Sequence, residues 1–221
     1  MTFRQRVDDR INEKHLLTHP FYTDWQAGKL TLEDLQAYAA QYYRFEASLP
    51  TVLSTLHSRC TSPQTRQMLL QNLWDEEHGD RNHLALWVQF AEAVGISQQE
   101  ILDTPASEET RQLVNTLSQI ASTASLPEGM AALYAYERQV PEIAAEKIRG
   151  LREFYDVTAP EAIMFFDVHK NLDVAHADAE FNEIADELDP ETEQLVMTAV
   201  DRSLDALWGF LDGVQRERQT A

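Results

Sequence analysis

The segment His169-Lys-Asn-Leu-Asp-Val-Ala-His176 sets His169, Asp173 and His176 at steps of four and three. Successive residues of an α-helix turn by about 100°, so such steps return to nearly one face. The same face carries Ala162, Phe165 and Phe166. Two imidazoles and a carboxylate thus stand where a helix should bury apolar groups. Polar residues on an inward stripe either satisfy one another or bind something. For this segment alone, a His–Asp hydrogen bond inside the core is a sufficient account.

Two other stretches carry matching chemistry. Leu69, Leu73, Glu76, Asp80, His83 and Trp87 follow the alternating spacing of one helical face, from which Glu76 and His83 project together. Glu77 and His78 fall off that stripe and read as solvent-facing. Asp80 lies on it, as a supporting partner of the site or as a surface residue. Met130, Leu133, Tyr134, Glu137, Ala144 and Ile148 form another inward row, with Glu137 its only carboxylate. Pro141 cannot donate to the carbonyl of Glu137 and crowds it, which predicts a disturbed helix just after that glutamate. An arginine on a neighbouring helix is the alternative partner for Glu137.

Three carboxylates gathered in a core would raise one another's pKa unless cations neutralised them. Two divalent metals bring four positive charges against three negative ones, which leaves room for a bridging hydroxide or oxide. Imidazole and carboxylate donors with open positions suit iron or manganese better than a closed structural zinc site, which favours cysteine. The expectation is a two-metal centre held by Glu76, His83, Glu137, His169, Asp173 and His176.

The elements that must position these residues read as helices. Thr31-Leu-Glu-Asp34 and Ser62-Pro63 are helix starts, as are Ser125-Leu-Pro-Glu128, Thr158-Ala-Pro-Glu161 and Asp189-Pro190. Leu35, Tyr38, Tyr42, Phe45 and Leu49 run along one face, as do Leu195, Ala199, Leu204, Leu207 and Phe210. Caps and periodicity predict helices near 3–17, 20–28, 32–60, 63–78, 80–95, 107–123, 127–154, 160–187 and 190–217. No segment alternates like a strand, and there is no internal repeat. The expected fold is all-α, one domain over residues 1–221, a bundle of about seven to eight helices.

Composition narrows the function. With 43 % hydrophobic and 25 % charged residues the chain has the material for a core. Its net charge of −19 argues against nucleic acid or an anionic membrane as a partner. The apolar runs are far shorter than a membrane span, and the amino terminus does not resemble a signal peptide, so a cytoplasmic location is expected. The single Cys60 cannot form an internal disulfide and reads as a helix-end residue.

Glu-x6-His, a lone Glu and His-x3-Asp-x2-His differ from ferritin-like bundles, which repeat a Glu-x-x-His motif. The set resembles the haem-oxygenase-like di-metal proteins. More specifically it resembles the CADD family (chlamydia protein associating with death domains), regarded as para-aminobenzoate synthases. The resemblance covers nearly the whole chain, from His19-Pro-Phe-Tyr22, Gly28-Lys-Leu and Ala40-Gln-Tyr-Tyr-Arg-Phe45 onward. That early block is shared with TenA and PqqC relatives, and the six-ligand set is the discriminating part.

The resemblance implies an O2-dependent oxidoreductase with an Fe/Fe or Mn/Fe pair and an external reductant. It also implies a para-aminobenzoate ring made from the chain's own Tyr22, with Lys147 as nitrogen source. Tyr136 and Tyr43 match family tyrosines that relay electrons, and Phe165 stands where a tyrosine could have assisted. Read without the resemblance, Tyr22 is an aromatic wedge and Lys147 a solvated residue. On one unbroken helix, however, Lys147 would lie about 80° from Glu137, beside the metal face. A homodimer is expected. The alternatives are a PqqC-like oxidase, which works without metal, another haem-oxygenase-like di-iron oxidase acting on an external small molecule, and a death-domain-binding protein. Only 18 Lys and Arg weigh against an anion-gripping PqqC-like site. A TenA-type thiaminase would need a reactive pocket cysteine. A binding-only role leaves six metal-type ligands unexplained.

Overall fold

The structure, a computed structural model, describes residues 1–170, 181 and 188–220. Among them there is no strand, so the chain is all-α as expected. Helix α1 spans Phe3–Glu13, and a 3-10 turn at Leu16–Thr18 leads into α2, Pro20–Gln26. There follow α3 (Leu32–Glu46), α4 (Leu49–Arg59), α5 (Pro63–Glu77), α6 (His83–Ala93) and α7 (Gln98–Asp103). Next come α8 (Glu108–Thr123), α9 (Leu126–Glu137) and α10 (Val140–Phe154). Residues 160–170 form the described part of α11, and α12 runs over Pro190–Thr220.

Several expected boundaries shift for local reasons. The helix predicted over 3–17 ends at Glu13, and that over 80–95 begins only at His83, where the Asn82 side chain accepts from the Ala85 N–H. The short α7 was not expected, although Ser97 and Glu100 form a capping box at its start. The segment predicted as one helix over 32–60 divides after Glu46, and that over 127–154 divides after Glu137. Each break falls four residues before a proline, Pro50 and Pro141, which cannot donate to the carbonyl one turn back. Divided helices and the extra α7 bring the helix count above seven or eight.

The core is continuous. Helix α12 lies against α8 and α9, while α3 packs against α6 and α8. Among the largest fully buried side chains are Trp25, Tyr38, Phe45, Trp87, Phe90 and Phe166. The Trp87 indole donates to the Ala39 carbonyl at 2.9 Å, tying α6 to α3 in the interior. Leu195 departs from the expected row: it is 47 % exposed, and Val196 takes the inward place beside Ala199 and Val200. No helix among the described residues is long and apolar enough to cross a membrane.

Close approach of α2 to α10 depends on Gly150. A Cβ there would lie 2.4 Å from Nε1 of the fully buried Trp25. Glycine within a helix is normally improved by alanine, by roughly 0.5–1 kcal/mol. Here the sign should reverse. Gly150→Ala is expected to destabilise the fold by about 1–3 kcal/mol through overpacking. Thermal unfolding checks this, and a Tm at or above that of the unsubstituted chain would contradict the packing.

Candidate metal centre

Four buried side chains from four helices converge. Glu46 ends α3, Glu76 lies in the last turn of α5, His83 opens α6 and His169 sits on α11. One ligand atom from each falls within 4.8 Å of all the others. Donors at about 2.0–2.2 Å from one ion lie no more than about 4.4 Å apart, so the group nearly has the span of a coordination shell.

Glu76 and His83 come together by a route that differs from the single face read in the sequence. Helix α5 ends at Glu77, and the chain turns through Gly79, whose φ of +77° suits glycine, before Asn82 starts α6. The reversal brings His83 Nδ1 to 3.0 Å from Glu76 Oε1. Glu77, His78 and Asp80 are exposed on this turn, so Asp80 is a surface residue. On α11, His169 Nδ1 lies 2.6 Å from the Phe165 carbonyl. That bond requires the proton on Nδ1 and leaves Nε2 as the ligating atom. The His83 and His169 rings stand 4.3 Å apart, and Phe165 lies 4.1 Å from His169.

Glu137 is buried at the end of α9, where it accepts from Asn72 Nδ2 at 3.2 Å. It lines the same recess as Glu76 and His169 but is not within the four-donor group. Asp173 and His176 lie outside the described residues.

Glu46 was missed in the sequence. It is 1 % exposed, and neither carboxylate oxygen has a hydrogen-bond partner among the described residues. Burial pushes its carboxyl well above the ordinary range, nearby Glu76 adds to this, and Lys147 opposes it. The available signal was Glu46-Ala-Ser-Leu-Pro50, which has the form of Glu137-Arg-Gln-Val-Pro141. Such an orphaned acid beside two imidazoles and a second carboxylate suits a hard or borderline divalent cation, iron or manganese among them.

Against the donor group lies a buried cavity of about 30 Å³. Tyr22, Tyr38, Tyr42, Tyr136, Lys147, Phe165 and His169 are in its wall. Lys147 is 3 % exposed, so the reading of it as solvated fails. The break after Glu137 cancels the ideal-helix angle between the two, and α10 turns the lysine stem inward. Lys147 Nζ donates to the Tyr38 hydroxyl at 2.6 Å, and the Tyr38 and Tyr22 hydroxyls lie 3.3 Å apart. The Lys147 Nζ is 5.6 Å from the Tyr22 ring centre. The Tyr42 and Tyr136 hydroxyls form a short hydrogen bond. Tyr43, in contrast, is half-buried and lines a shallow outer groove with Asn82 and Val88. Cys60 caps α4 and is not in the cavity wall.

The family model described as iron-containing redox enzyme matches residues 36–208. The 4-aminobenzoate synthase of Nitrosomonas europaea is 44 % identical, with 96 % of this chain and 91 % of that protein covered. The 4-aminobenzoate synthase of Chlamydia muridarum is 42 % identical over 96 % of this chain and 89 % of its own. A TenA homologue from Pseudomonas syringae has the same fold, with a TM-score of 0.84 at 18 % identity, covering 97 % of this chain and 93 % of that one.

The electrostatics of Lys147 give a direct test of the cavity. Burial lowers its pKa from 10.5 to about 7, with Glu46 pulling the other way. A lowered lysine pKa means that folding is penalised fully below pH 7 and that the penalty fades as pH rises to 10.5. In the metal-free protein, Lys147→Met is therefore expected to be stabilising below pH 7, by up to a few kcal/mol. That advantage should shrink steadily towards pH 10.5. Thermal melts across this range decide it, and a gain that grows with pH would contradict the buried amine.

Proposed function

The chain belongs to the family of haem-oxygenase-like iron-containing redox enzymes that includes the 4-aminobenzoate synthases, and we propose that it forms 4-aminobenzoate from its own Tyr22 and Lys147 with dioxygen as oxidant. The observation that carries this reading is the shared cavity: Tyr22, Lys147 and the metal-donor His169 line one space of about 30 Å³. Such a space holds two or three water-sized molecules, since each needs about 10–15 Å³. It is of a size for dioxygen, well below the roughly 300 Å³ or more usual for pockets that take a larger ligand.

The residues that would hold metal are Glu76, His83, Glu137, His169, Asp173 and His176, as a di-iron or manganese–iron pair. A redox-active pair of ions supplies the electrons and the oxygen chemistry when it is bound. The remaining work belongs to the chain. Tyr22 has a hydroxyl para to Cβ, whereas 4-aminobenzoate has an amine para to a carboxylate. The conversion therefore needs cleavage of the Tyr22 Cα–Cβ bond, oxidation of Cβ to the carboxylate by dioxygen, bonding of Lys147 Nζ to the ring with loss of the phenolic oxygen as water, and cleavage of the Lys147 Cε–Nζ bond to release the amine.

Burial raises the Tyr22 pKa, so the phenol keeps its proton until it is oxidised. The row Tyr22, Tyr38, Lys147 then gives that proton a path to an amine that is neutral for part of the time at pH 7. Nζ can attack the oxidised ring only once that proton has been passed on, and its lowered pKa makes the loss easy near pH 7. The hydrogen-bonded pair of Tyr42 and Tyr136 lies in the cavity wall and suits the passage of electrons between solvent and site.

Reaction consumes the chain, so product should not exceed about one per chain. Tyr22→Phe is expected to abolish 4-aminobenzoate, and Lys147→Arg to abolish the amine transfer while metal content stays intact. Mass spectrometry of the reacted protein should find covalent loss at both positions. Many turnovers per chain, or undiminished product from Tyr22→Phe, would contradict the reading. Chelation at neutral pH should lower the Tm, because a ligand bound only by the folded state stabilises it. An unchanged Tm would contradict the metal assignment.

A further inference from the structure

Two helix breaks in this fold have the same shape. After Glu46, Ala47 and Ser48 have φ/ψ of −61°/−16° and −90°/−23°. After Glu137, Arg138 and Gln139 have −56°/−28° and −93°/−21°. In each case a glutamate is the last residue of its helix, the next helix begins three residues later, and proline is the second residue of that next helix. The residues just before the two glutamates, Phe45 and Tyr136, meet edge to face at 5.0 Å. Two kinked helices therefore present matched carboxylates to one interior. Glu76 and His169 stand near both, within the donor group on the Glu46 side and within the recess on the Glu137 side.

We propose that Glu46 is a metal ligand of this centre, the counterpart on α3 of Glu137 on α9. The inference rests on the reading that the site holds metal and adds a donor to the six in that reading. Both Glu46 oxygens lack a hydrogen-bond partner among the described residues, although the side chain is 1 % exposed. A buried carboxylate without partners is strongly unfavourable, and a cation is the group that would compensate it. One oxygen already lies within 4.8 Å of donor atoms of Glu76, His83 and His169. A structural acid would instead be expected to find a donor, as Glu137 does in Asn72.

Ligation by Glu46 has a consequence for the chemistry. Tyr38, Tyr42 and Glu46 are spaced one turn apart on α3. Tyr38 and Tyr42 are in the cavity wall with Lys147. A metal held by Glu46 is tied to the helix that also positions those two hydroxyls, so ion and tyrosines share one rigid support.

The test uses full-length chains stripped of metal and titrated without oxygen with Mn(II) or Fe(II). Bound ions are counted by elemental analysis after equilibrium dialysis, and by the Mn(II) magnetic resonance signal. The unsubstituted chain is expected to take two ions. Glu46→Gln is expected to weaken one of them roughly tenfold or more, with the other unchanged. Glu46→Asp should give an intermediate loss. Metal-free Glu46→Gln should melt at or above the unsubstituted chain, and its gain in Tm on adding metal should be smaller. Unaltered stoichiometry and affinity in Glu46→Gln would overturn the inference and leave the six-residue centre standing. A Tm loss in the metal-free variant with normal metal binding would overturn it in favour of a structural acid. An unsubstituted chain that takes no ion would overturn the metal reading itself.

Discussion

The carboxyl groups of Glu46 and Glu76 share a dry interior with the imidazoles of His83 and His169, and the rest of the fold is arranged around that cost. Removing one such charge from water costs several kcal/mol even after relaxation. Two of them side by side add repulsion, so the metal-free centre stands only because the surrounding helices hold it. Four helices contribute one donor each, and three of them also carry fully buried aromatics, Phe45 on α3, Trp87 on α6 and Phe166 on α11. The hydrophobic shell thus keeps acids where only a cation makes them favourable. Stability and metal affinity are linked through that preorganisation.

The same dryness governs the adjoining cavity. Lys147 faces the rings of Tyr38 and Tyr42 at 4.8 and 5.0 Å, and among the described residues no carboxylate lies in hydrogen-bond reach of it. Had an aspartate been placed there, the ammonium would be held charged and Nζ would be no nucleophile. Glu46 acts from beyond hydrogen-bond range, strong enough to oppose the lowering of the amine pKa yet not to cancel it. Metal centre and amine are therefore electrostatically joined through one glutamate, whose own negative charge a bound cation would neutralise.

Much of this arrangement was legible in the amino-acid order because helical periodicity exposes a polar residue on an apolar stripe. His169 interrupts Ala162, Phe165 and Phe166, and Glu137 interrupts Met130, Leu133 and Tyr134, all of them buried. Spacing also paired Glu76 with His83, though for a reason that does not hold: a turn at Gly79 joins them, with no common helical face. Glu46 escaped notice since Phe45 beside it completes the row of Leu35, Tyr38 and Tyr42. A stripe that is already apolar hides a neighbour one position away. Only the proline four residues on, the feature that pointed to Glu137, marked it. Lys147 was hidden for another reason: a long side chain on an amphipathic helix reads as solvated unless the rotation set by an upstream break is known. Tyr43 shows the converse, a position one residue off the inward row of Tyr38 and Tyr42.

In the proposed reaction the substrate is a core side chain, which reverses the usual relation between pocket and fold. An enzyme with an external substrate keeps an opening and gives up packing to do so. Here Tyr22 is 3 % exposed and packs edge to face with Phe21 at 5.4 Å, so ring position is fixed by core contacts rather than by a binding equilibrium. No entropy of association has to be overcome, and reactive groups sit within one hydrogen-bonded row from the moment of folding. The corresponding cost falls after the chemistry. Loss of a buried aromatic ring removes about 3–5 kcal/mol of packing, which is a large share of the stability of an ordinary domain. A fold that spent Tyr22 in this way would give up part of its own core.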